Sequence, residues 1–234
     1  MNPTSAANPT PTFEDARIQY ASPAVRQLRE DLALALRAAA HHGLAEGVCN
    51  HFSVALPGNA ERYLLNPRGL LWSEVGADDI VLIDVRGEVL AGRHRVEPTA
   101  LTLTADRALD PTLSQNAMRY MGRIAIDDTY NGLALDDAEG ERIARAMAGK
   151  DVAFLANHGV LVAGATLAHA YDDLYYLERA CLHQVIAQST GRPLAPVDAA
   201  LAARVAAQVQ GEREQSDLFF EALRRRLPAP VAAA

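Results

Sequence analysis

The sequence predicts an α/β fold, with helices packed on a mixed or mostly antiparallel sheet and a strongly helical C-terminal half. Three observations carry this expectation. Long stretches near 23–42 and 166–190 place apolar residues at helical spacing. Short apolar runs at 52–56, 62–65, 80–85 and 152–156 are bounded by Gly, Pro and Asn turns and read as strands. Few βαβ units are present, which argues against a doubly wound nucleotide fold.

In chain order, Pro23 opens a helix to about His42, with Val25, Leu28, Leu32, Leu36 and Ala39 roughly on one face. Gly43 reads as its C-terminal stop. The strands 52–56 and 62–65 are joined at Pro57-Gly58-Asn59. The strand 80–85 turns at Arg86-Gly87 into Val89-Leu90, a hairpin expected near the middle of a sheet. A turn-rich stretch begins at Gly92. Asp136 and Glu139 suggest a capping box for a helix to about Ala148. Gly149-Lys150-Asp151 then turns into the strand 152–156. Asn157-His158-Gly159 interrupts, and 160–163 resumes. Thr166 caps a helix to about Thr190, with Tyr171, Leu174, Leu177, Cys181 and Val185 expected to face the sheet. Helical patterns follow at 198–210 and 214–226. The expected domain spans residues 13–227, with 1–12 and 228–234 as loosely ordered termini.

The 234 residues are half hydrophobic, enough for one full core. The formal charge is −7, which disfavours nucleic acid and anionic membranes as partners. No apolar run reaches membrane-spanning length and no targeting segment opens the chain. Cys49 and Cys181 form neither a metal-spaced pair nor a disulfide framework, which fits a reducing cytoplasm.

Lys150 is the single lysine, and its turn is too wet for a Schiff base. No phosphate-binding P-loop, nucleophile elbow or dinucleotide fingerprint occurs. Four places carry polar groups of interest. Asn157-His158-Gly159 interrupts a buried run, so His158 is either a hydrogen-bonded turn residue or a ligand or catalytic histidine. Gly47–Ser53 is either an ordinary helix-to-strand link or an anion-holding turn built on Asn50, His51 and Ser53. Asn66-Pro67-Arg68-Gly69 sets an arginine where a carboxylate or phosphate could sit. Glu97-Pro98-Thr99 holds a carboxylate on extended backbone and carries no weight alone.

Together these segments, with EGVCNHFSV, LLNPRGLLWSEV, QNAMRYMGRIAIDDTYNGLAL and DVAFLANHGVLVAG among them, resemble the class II aldolase/adducin N-terminal domain family, nearest its bacterial adducin-like branch. The resemblance implies a three-layer α/β/α fold and a homo-oligomer, usually a tetramer with sites between subunits. It implies a zinc-dependent, or other divalent-metal, carbon–carbon lyase or epimerase. The substrate would be a small phosphorylated or carboxylated hydroxy-carbonyl compound. It assigns substrate binding to Asn50, His51, Ser53, Arg68 and Gly69, acid/base catalysis to Glu97, and one metal ligand to His158. The first turn departs from the family: its glycine falls on Asn50 and its asparagine on His51. Arg68 replaces a small neutral group.

The family's other two zinc histidines come from a His-X-His strand after the glutamate. This chain runs from Val96-Glu97-Pro98-Thr99-Ala100 straight into Leu101-Thr102-Leu103-Thr104-Ala105, and that motif is absent. One histidine and one glutamate fall short of a family-type zinc site. Lyase activity is therefore expected to be impaired. The alternative is a non-catalytic binding or assembly protein, as adducins serve the actin-linked membrane skeleton. Residues 100–105 alternate and are expected to substitute for the lost strand or bridge its gap.

Overall fold

The computed structural model describes residues 13–45, 47–48, 51–86, 88–92, 109–131, 137–157 and 159–229. Helix α1, Phe13–Ala21, precedes α2, Pro23–His41. Between them Ser22 turns extended and its hydroxyl accepts the Val25 N–H at 3.4 Å, with Pro23 needing no partner of its own. Gly43 at φ 74 ends α2, and the Leu44 N–H reaches back to the Ala39 carbonyl at 2.9 Å.

Strands β1 (Ser53–Leu56), β2 (Asn59–Leu65), β3 (Val81–Asp84) and β4 (Val89–Ala91) form an antiparallel sheet in that order. Leu64 and Leu82 are paired across it and bury one face with Leu56 and Ile80 against Leu32, Leu36 and Ala39 of α2. The β3–β4 hairpin was expected in mid-sheet. Among the described residues β4 is instead the outermost strand.

A second sheet holds β5 (Ile124–Asp127), β6 (Val152–Leu155) and β7 (Gly159–Val162), with β5 parallel and β7 antiparallel to β6. Period-two alternation divides its faces. Val152 and Phe154 pack with Tyr120, Leu177 and Ala180 on one side. Ala125, Ala153 and Leu155 pack with Ile143 of α4 (Asp137–Ala146) and with Met147 just after it on the other. Helices thus cover both faces of this sheet, as expected of layered α/β architecture.

Helix α3 (Gln115–Met118) leads toward β5. Helix α5 (Leu167–Ser189) is capped by Thr166, whose hydroxyl accepts the His169 N–H at 3.1 Å. Helices α6 (Ala199–Gly211) and α7 (Glu214–Arg226) follow, with Asp198 capping α6. The pattern of caps and apolar faces did not foretell α1, α3 or β5. The expected face of α5 needs correcting: Tyr171 and Leu177 are buried, but Val185 is 60% exposed, and the buried set includes Asp172 and Asp173. The proposed capping box cannot be placed, because Asp136 lies outside the described residues. Glu139 pairs with Arg142 at 2.7 Å. Residues 100–105 also lie outside them. No described helix is long and apolar enough to cross a membrane.

Candidate functional site

The β1–β2 register pairs Ser53 with Leu65, so the chain entering β1 and the chain leaving β2 emerge at one end of the sheet. Two turns therefore lie side by side. One carries His51 and Ser53, the other Arg68 and Gly69. Gly69 has φ 89, a conformation that side chains rarely adopt, and this lets the second turn fold back after Pro67. The buried Asn66 links the turns: its Oδ1 accepts the Phe52 N–H at 2.9 Å. The Phe52 ring meets buried Trp72 with centroids 4.8 Å apart. Ser53, Arg68 and Gly69 are exposed and His51 is half-buried. The register thus places the segments that carry these four sequence-chosen residues at one end of the sheet. Asn50, Glu97 and His158 lie outside the described residues.

The flanks of position 158 are described. Asn157 is the one described non-glycine residue with positive φ, at 49, and Gly159 follows at φ 143. The positive φ at Asn157 and Gly159 falls where the chain reverses from β6 into β7, whose ladder is unbroken from Val152↔Val162 to Leu155↔Gly159. The preceding Ala156 N–H donates to the Asp127 carbonyl at 2.8 Å. Asp127 is itself buried and accepts from Arg142 Nη1 at 2.6 Å and from the Thr129 N–H at 3.2 Å. Asp127 and Arg142 therefore brace the base of the 156–159 turn. Their role was missed because Asp127 ends a strand that the sequence pattern did not reveal.

Other chemistries can be weighed at their residues. Lys150 is exposed and its Nζ donates to the Gly122 carbonyl at 2.5 Å, as its wet turn implied. Burial, with Glu178 nearby, pushes the Cys181 thiol up to about 11, which leaves little nucleophilic thiolate. His42 Nδ1 is taken up by the Tyr171 hydroxyl at 2.6 Å. Among the described residues, no three His, Cys, Asp or Glu side chains are placed to hold a metal ion.

The profile of the Class II Aldolase and Adducin N-terminal domain matches this chain over residues 30–100 and again over 93–185. The chain belongs to the class II aldolase/adducin family. A Caulobacter vibrioides protein bearing a class 2 aldolase name is 32% identical to this family member over 192 residues, covering 71% of this chain and 74% of that one. Alpha-adducin of Rattus norvegicus is 26% identical over 187 residues, covering 68% of this chain but 25% of the adducin. The crystal structure of an aldolase II superfamily protein from Pseudomonas syringae superposes with a TM-score of 0.78 at 29% identity, covering 91% of this chain and 96% of that one. The α/β architecture, with a mixed sheet flanked by helices, is that of the class II aldolase/adducin family.

Proposed function

We propose that this chain binds a small anionic hydroxy-carbonyl compound, phosphorylated or carboxylated, on a class II aldolase scaffold whose carbon–carbon lyase or epimerase chemistry is impaired. The observation that carries this reading is the side-by-side placement of the His51–Ser53 and Arg68–Gly69 turns. Main-chain N–H groups, the Ser53 hydroxyl and the Arg68 fork are donors suited to an oxyanion. Arg68, in place of a small neutral residue, adds full charge and broadens the acceptable anion from phosphate to carboxylate. By family resemblance Asn50 joins the first turn, Glu97 is the acid/base and His158 a metal ligand.

The zinc ion that the family implies does not fit the residues present. Besides His158 the chain has His41, His42, His51, His94, His169 and His183, and no two of these are spaced His-X-His. A zinc site needs at least three protein ligands. The two family matches overlap at residues 93–100, the stretch that holds Glu97.

Titration with inorganic phosphate and with malonate, followed by calorimetry, tests the proposal. Saturable binding of either anion is expected, weakened about tenfold or more in Arg68→Ala, since a charge-assisted hydrogen bond contributes roughly 1.5–3 kcal/mol. Absence of binding by the unaltered chain, or equal binding by Arg68→Ala, would remove the reading. The adducin match favours a second reading, an assembly protein without ligand turnover. Co-sedimentation with actin filaments, unaffected by Arg68→Ala, would support that alternative.

A further inference from the structure

We propose that Asn66 is a positioning residue that sets the spacing between the two anion-holding turns, an inference that rests on the anion reading above. The backbone shows why a side chain is needed there. Ladder pairing of β1 with β2 runs to Ser53 and Leu65. Beyond it Pro67 has no N–H to offer, and the chain must leave the sheet to form the Arg68–Gly69 turn. Asn66 Oδ1 accepts the Phe52 N–H at 2.9 Å, so a carboxamide takes over where the main-chain ladder stops.

Asn66 is 5% exposed, and at such a site an unmade bond would leave the Phe52 amide short of a partner. The Phe52 ring is gripped as well, by Trp72 at 4.8 Å. Both grips come from the segment 66–72. In sequence, Asn66 and Trp72 bracket Arg68 and Gly69, while His51 and Ser53 bracket Phe52. Holding Phe52 at both its amide and its ring therefore holds the donors of the two turns as one set. An anion bound by both turns depends on that spacing, because donors that must be ordered on binding cost affinity.

The test joins amide hydrogen exchange with phosphate titration. In Asn66→Ala the Phe52 amide is expected to exchange at least about tenfold faster, as a local opening replaces a closed bond. Phosphate affinity is expected to fall about tenfold, the equivalent of one hydrogen bond of ordinary strength. In an Arg68→Ala background the same change should matter far less, because the two residues serve one bound anion. Asn66→Asp keeps an acceptor oxygen and should keep Phe52 protected, while its charge weakens phosphate binding. If Asn66→Ala does not fold, Asn66→Ser, whose oxygen sits one atom nearer the backbone, carries the same comparison. Unchanged Phe52 exchange, or independent effects of Asn66→Ala and Arg68→Ala on affinity, overturns the proposal. Failure of the unaltered chain to bind phosphate defeats the anion reading instead, and Phe52 exchange alone then decides whether Asn66 ties the turns.

Discussion

His42 closes α2 inside a ring cluster, with Tyr175 at 4.8 Å, Phe219 at 6.2 Å and His41 at 5.2 Å between centroids. Burial lowers its pKa below the ordinary 6.5, and the charges of His41 and Arg179 lower it further. Arg179 also donates to the His42 carbonyl at 3.5 Å. The unfolded chain therefore takes up this proton more readily than the folded one. The stabilising contribution is whole above about 6.5 and is lost as pH falls below it toward the folded pKa. Urea unfolding at pH 7.5 and 5.5 should show lower stability at the lower pH (values chosen to straddle the ordinary histidine range). His42→Gln should flatten that difference, and an unaltered slope in the variant would refute the assignment. The doublet His41-His42 was visible in the sequence, but it lacked metal spacing, and only the fold shows that the two differ in burial. Legibility at the candidate site divides in the same way. Gly69 and Arg68 announced a turn, whereas the bond from Asn66 to Phe52 spans 14 positions and has no local signature.

Elements with strong local signals were read correctly, as α2 opening at Pro23 and α5 with its Thr166 cap show. Strand β5 was missed for a physical reason. Its Ile126 is 63% exposed while Asp127 is 6% exposed, the reverse of what alternation leads one to expect. A related inversion lies in α5, where Asp172 and Asp173 look like a solvated pair yet are buried. Asp173 Oδ2 accepts from Arg123 and Arg213, each at 2.6 Å, and Asp172 accepts from Arg119 and from the Ser216 hydroxyl. Burial alone would raise the Asp173 pKa, but the two guanidinium groups hold it below the usual carboxylate range. This knot ties α5 to the segment between α3 and β5 and to the entrance of α7. Asp173→Ala leaves Arg213 with only its 3.9 Å pair to Asp172 and removes the Asp173 partner of Arg123, so a loss of about 3–5 kcal/mol is expected. An unfolding free energy from urea titration within about 0.5 kcal/mol of the parent, the range of surface substitutions, would show that the knot is dispensable.

At the scale of the whole molecule, the layered α/β architecture was legible from helix and strand grammar. The grouping of the described residues into a four-stranded and a three-stranded sheet was not, since strand order is set by long-range pairing. Two expectations meet in one measurement. Size-exclusion chromatography with light scattering should give a homo-oligomer, with a tetramer favoured by family resemblance. Elemental analysis of the same peak should find well below one zinc per chain, because three ligands are the minimum for such a site. A monomer would end the first expectation, and one zinc lost in His158→Ala would end the second. The sheets also divide the labour. The turns proposed to hold the anion spring from the β1–β2 pair, whereas position 158 falls in sequence between β6 and β7. On the proposed reading, recognition and metal ligation are assigned to different ladders of the described residues, so a change at one need not disturb the other. Such a partition would, on that reading, let a lineage retire a catalyst and keep its receptor.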